Sequence, residues 1–164
     1  ILIEKKQLRF VSERLIPSED LMFNINILAH AHRVCVIPQS FYNYRINQSS
    51  ISRSIKLNKF PLFKNLYQSM MEQCHQLDIT GDIDLRIKRL IIGYTRSYIC
   101  QIILSNATYN EKKNVIYRIC KDNIWQNIYT NYPINKMHWT HRLFIAAMKM
   151  NSYSLLYTLT KIRK

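Results

Sequence analysis

Only two glycines and four prolines punctuate 164 residues, and that scarcity of helix-stopping residues is the strongest constraint on the fold. Beyond residue 54 the apolar positions recur at helical spacing over long runs, about 57–77, 82–105, 111–122 and 136–162, the last expected to break near Asn151-Ser152. Gly81 followed by Asp82 reads as the end of one helix and the start of the next, and Asn106-Ala107-Thr108 as a similar junction. Helix should therefore dominate the second half. With 48% hydrophobic and 21% charged residues, the chain is long enough to bury one ordinary core, which excludes collagen-like, linker-like and disordered classes.

The first third has a different texture. Residues 1–7 read as the end of a helix, and Leu8-Arg9-Phe10-Val11 alternates in the manner of a strand. Pro17-Ser18-Glu19-Asp20 then signals a helix start: Ser18 is the expected N-cap, and two carboxylates occupy the first turn, where the helix dipole favours negative charge. Leu21, Ile25 and Leu28 continue at helical spacing to about His32. Val34-Cys35-Val36-Ile37-Pro38 is a β-branched run closed by proline, Phe41-Tyr42-Asn43-Tyr44-Arg45 extends its character, and residues 47–52 form a polar loop. Strand, helix, strand is the order of an α/β layer being completed.

Charge is uneven as well as high. The net charge is +14, and residues 21–71 and 123–164 each contain six Lys or Arg and no Asp or Glu. Such a field attracts polyanions: nucleic acid, anionic lipid headgroups or phosphorylated substrates. The abundance of Ile, Asn, Lys and Tyr also has a plain source in an AT-rich genome, which raises lysine without any partner. No run of 18 apolar residues exists, since the best stretch, 90–104, is interrupted by Arg96. The chain opens Ile1-Leu2-Ile3-Glu4 with no basic-then-apolar leader, and is expected to be a fragment of a longer protein. Cys35, Cys74, Cys100 and Cys120 are widely spaced and read as reduced thiols.

The run from Leu8 to Asn24, with Glu19-Asp20 at its helix start, then Val34 to Pro38, then Phe41-Tyr42-Asn43-Tyr44-Arg45-Ile46-Asn47-Gln48-Ser49-Ser50-Ile51-Ser52, resembles the end of the catalytic domain in family 2 inverting glycosyltransferases. The resemblance covers residues 8–54, a third of the chain, while the helical remainder is similar only in texture to the variable C-terminal tails of those enzymes. It implies an α+β, mostly helical chain: residues 1–55 as the C-terminal edge of a GT-A α/β catalytic domain, and residues 56–164 as a helical subdomain.

The same resemblance implies transfer of a sugar, with inversion, from a nucleoside-diphosphate sugar to a glycan or lipid-linked acceptor, as in bacterial surface polysaccharide or capsule synthesis. Asp20 corresponds to the general base, with Glu19 its neighbour. Inversion needs a base within hydrogen-bond reach of the acceptor hydroxyl, on the face opposite the leaving diphosphate. That role requires the Asp20 carboxylate to face a cleft and the flanking strands to share a sheet. Arg45 and Arg53 flank the polar turn, where a guanidinium could grip a diphosphate, and Tyr42 and Tyr44 alternate along the expected strand, with one ring either lining the acceptor site or packing in the core.

One feature of the family is missing. The Asp-x-Asp motif that holds its Mg or Mn ion precedes the region matched here; Asp82-Ile83-Asp84 has the letters but follows that region and reads as helix capping. The metal ligands and the N-terminal catalytic half are thus expected outside this chain, which alone should be inactive. The partners implied are a nucleotide-sugar donor, a saccharide acceptor and an anionic membrane surface, with no specific nucleic acid, and the location cytoplasmic, peripheral to the inner face of the plasma membrane. The basic, aromatic-rich tail, with Trp139, Phe144, Met148, Tyr153, Leu156 and Tyr157, would either meet that surface or pack on the catalytic domain. His30 with His32, and His138 with His141, have spacings zinc ligands use but lack a third ligand. The rival class is a non-enzymatic basic helical module that binds nucleic acid or an anionic membrane surface.

Overall fold

The computed structural model describes residues 2–12, 14–43 and 57–162. Eight α-helices occur among them: α1 (Leu2–Lys5), α2 (Glu19–His30), α3 (Phe60–Gln76), α4 (Ile83–Leu104), α5 (Tyr109–Cys120), α6 (Ile124–Asn131), α7 (Trp139–Lys149) and α8 (Tyr153–Ile162), with a 3-10 turn at Ile134–Lys136. None is long and apolar enough to cross a membrane.

Helix α4 is the axis of the bundle. Its buried residues, among them Ile87, Ile91, Thr95, Tyr98, Ile99 and Ile102, repeat every three or four positions, and α3, α5 and α8 pack around it. Tyr98 is 1% exposed, meets the Phe63 ring edge-on at 5.4 Å, and its hydroxyl accepts the Lys59 N–H at 3.0 Å, so a polar tip is satisfied within an apolar site. The buried Trp125 donates its indole N–H to the Ile119 carbonyl at 2.7 Å, closing α6 onto α5. Ile116, Ile128, Phe144, Met148 and Leu156 complete this main core.

The helix ends follow local chemistry. Thr108 and Glu111 form a capping box on α5: the Thr108 hydroxyl accepts the Glu111 N–H, and Glu111 accepts the Thr108 N–H at 2.8 Å. Helix α7 stops in a Schellman turn, with Asn151 at φ 50°, Asn151 N–H on the Met148 carbonyl and Ser152 N–H on that of Ala147. The break expected at Asn151-Ser152 is therefore real. At the end of α3 the left-handed position falls to Asp78, at φ 48°, and not to Gly81, which lies farther on at φ 91°. Asp82 stands at the N-cap position of α4 without making a side-chain cap.

The mostly helical character expected from the sequence is present, and the α/β edge is not: no strand occurs among the described residues. Residues 8–11 and 34–38, expected as strands, carry no regular secondary structure. A strand exists through its neighbours, and neither segment has one here. The segment 16–30 is nevertheless attached to the bundle. Ile16 and Met22 bury themselves with Leu66, Met70, Cys74 and Ile87 in a second, smaller core between α2, α3 and α4. Leu21 and Ile25 pack against it, whereas Leu28, expected on the same stripe, is exposed.

Candidate functional site

The Glu19-Asp20 pair opens α2, as its sequence suggests, but Ser18 does not cap the helix. Its backbone is left-handed, at φ 63° and ψ 52°, and its side chain makes no capping bond. Instead the Ser18 hydroxyl hydrogen-bonds the Tyr94 hydroxyl of α4 at 2.8 Å. A left-handed serine costs about 1–2 kcal/mol of backbone energy, which the bond to Tyr94 and the burial of Ile16 and Met22 offset. The Gln73 amide reaches the Met22 carbonyl at 3.5 Å and the Asn65 amide reaches that of Leu15 at 3.4 Å, both long contacts. The carboxylate pair is thus carried on a helix start that is fixed to α3 and α4.

Glu19 is half-buried and Asp20 exposed. One Asp20 oxygen, Oδ1, accepts the Leu21 N–H at 2.9 Å. Among the described residues the segments that flank α2 share no sheet. Tyr42 is exposed, and Tyr44, Arg45 and Arg53 lie outside the described residues.

Large apolar side chains stand exposed on both sides of α2: Phe10, Val34, Ile37 and Phe41, with Val36 at 91%. Phe10 stacks on Phe23 of α2, ring centroids 4.0 Å apart, which keeps the first segment beside the helix.

Other sequence candidates resolve differently. His30 binds its own helix, Nδ1 lying 2.8 Å from the Asn26 carbonyl. Among the described residues no three His, Cys, Asp or Glu side chains converge as metal ligands. Of the tail residues, Phe144, Met148 and Leu156 are buried in the bundle, Tyr153 is half-buried, and Trp139 and Tyr157 are exposed. The tail packs chiefly on the helical core itself. Burial pushes the Cys120 thiol up to about 12 and also raises that of Cys74, whereas Cys35 is exposed.

A concavity of about 260 Å³ lies elsewhere, between the N-terminal half of α4 and the connection from α6 to α7, lined by Leu85, Arg89, Tyr132, Pro133, Lys136, Met137, His138 and His141. Its basic residues are scattered over 53 positions of sequence, from 89 to 141, and only the histidine pair gave a sequence-level signal. Comparison with protein-family models, curated proteins and solved structures returns no match.

Proposed function

We propose that this chain is the acceptor-side, C-terminal portion of an inverting glycosyltransferase similar to family 2, with Asp20 as general base, Glu19 beside it, and the α3–α8 bundle as its mount. In that role the Asp20 carboxylate removes the proton of an acceptor hydroxyl while its oxygen bonds to the anomeric carbon of the sugar. The nucleoside diphosphate departs from the opposite face with the bonding electron pair. The donor site, the metal and its ligands belong to polypeptide beyond the described residues. Activity is a property of the longer protein, at the cytoplasmic side of a membrane where surface glycans are built.

The resemblance over residues 8–54 carries this assignment. Supporting it are two exposed apolar runs, Phe10-Val11 and Val34-Cys35-Val36-Ile37, which precede and follow α2 in sequence, while Ile16 and Met22 bury the start of that helix against α3 and α4. In the longer protein such runs would pair as strands with a sheet that the rest of the polypeptide supplies. Strained residues also gather at functional sites, and the left-handed Ser18 immediately precedes the carboxylates.

Amide hydrogen exchange on the longer protein tests the reading. The amides of residues 34–37 should exchange at least about a hundredfold more slowly there than in the isolated chain, as strand pairing requires. Equal, fast exchange in both would remove the sheet and with it the catalytic layer.

The charge pattern favours a second reading, a basic module for anionic surfaces, since Trp139, Leu143, Met150 and Ile162 are exposed among the basic residues of the acid-free tail. Binding to vesicles or to any DNA with a steep salt slope, together with no transfer by the longer protein, selects it.

A further inference from the structure

The concavity beside α4 has a composition that the transferase reading does not use. One wall is α4, where Leu85 and Arg89 are four residues apart and hence on one face. The other is the segment from Tyr132 to His141, which brings Lys136, His138 and His141. Arg89, Lys136 and His138 are exposed at the mouth and His141 is half-buried. No carboxylate occurs among the described residues that line the space, and the second wall comes from the acid-free stretch of the chain.

Two of these groups are held in place. Arg96, two turns along α4 from Arg89, brings Nη1 within 2.9 and 2.8 Å of the ring nitrogens of His141, and its guanidinium lies 5.6 Å from the Phe144 ring centre. His138 Nδ1 lies 2.9 Å from the Thr140 hydroxyl. His138 is also the N-cap residue of α7 and makes no side-chain cap, so the positive end of that 11-residue helix adjoins the same space.

We propose that this cleft binds a phosphate or diphosphate group, with Arg89 and Lys136 as the charged ligands, His138 as a further donor, and His141 held in the wall as the acceptor of the Arg96 guanidinium. An arginine fork matches phosphate oxygens in pairs, and a lysine supplies a point charge. The volume, about 260 Å³, is below the roughly 300–1,000 Å³ that encloses a drug-sized molecule, so the site takes a headgroup and leaves the rest of the ligand outside. The proposal does not depend on the glycosyltransferase assignment.

Titration calorimetry of the 164-residue chain with inorganic pyrophosphate at low ionic strength tests it. Saturable binding at one site is expected, weakened about tenfold or more by Arg89→Ala and by Lys136→Ala, the loss of one charge-assisted contact in each case. Arg118→Ala, an exposed arginine of α5 away from the cleft, controls for net charge and should change affinity less than about twofold. All three variants are at exposed positions, and unchanged circular dichroism checks their folding. Equal weakening by all three, or no saturable binding, would overturn the site. Vesicles containing phosphatidic acid identify the source: capture that pyrophosphate competes away, and that Lys136→Ala abolishes, assigns a lipid headgroup, whereas pyrophosphate binding without capture assigns a soluble phosphate ester.

Discussion

The hydroxyls of Ser18 and Tyr94 lie 2.8 Å apart across 76 positions of sequence. This bond joins the residue before the Glu19-Asp20 pair to the central helix of the bundle. It gives the candidate base a fixed origin without a conventional N-cap, and it places the left-handed turn at Ser18 under tertiary control.

Replacing Tyr94 by Phe should therefore loosen the start of α2 selectively. The ring contacts are kept while a part-buried hydroxyl bond is lost, at a cost of about 1 kcal/mol. Amide exchange of residues 20–23 should rise, with the amides of α5 unaffected. Uniform acceleration over the whole chain would show that the bond supports the bundle and not the helix start.

Thr95 is fully buried on α4, and its hydroxyl has no hydrogen-bond partner among the described residues. Thr95→Val keeps the shape and removes the stranded polar group, so stability in urea should increase by about 1 kcal/mol. A decrease would mean that the hydroxyl is satisfied in solution.

The capping box of α5 has a pH signature. The Thr108 backbone N–H and then its hydroxyl hold the Glu111 carboxyl below its ordinary value of 4.5. A carboxyl depressed in the folded state contributes stability above its unfolded value and loses it as pH falls through the folded one. Glu111→Gln should thus lower the urea midpoint at neutral pH, with the difference from the parent chain shrinking as pH drops below 4.5. A difference that is constant across the acid limb would remove the box from the titration.

What could be read from the sequence depended on how local the cause was. The periodicity of α3, α4 and α8 was visible because their buried faces recur along single helices, and Asn106-Ala107-Thr108 marked a junction, although the capping box between Thr108 and Glu111 went unread. Helix α6, eight residues held by Trp125 and Ile128, was too short to leave a pattern beside the polar residues around it. Residues 34–38 have strand composition, yet composition supplies no neighbouring strand. At the candidate site the carboxylate pair was legible as a helix start, while the choice of Tyr94 over the helix amides as the partner of Ser18 is a tertiary outcome. The cleft was the least legible, since Arg89 and Lys136 meet only through the way α4 and the segment before α7 pack.

Release of nucleoside diphosphate by the longer protein, measured with a nucleotide-sugar donor and a saccharide acceptor for the parent, Asp20→Asn and Glu19→Gln, bears most directly on the function proposed. Asp20→Asn should lower turnover by about a hundredfold or more, the scale of a lost general base, with unchanged thermal melting, and Glu19→Gln should cost less. Turnover retained by a folded Asp20→Asn protein would take the proton-accepting role away from Asp20 and contradict the assignment.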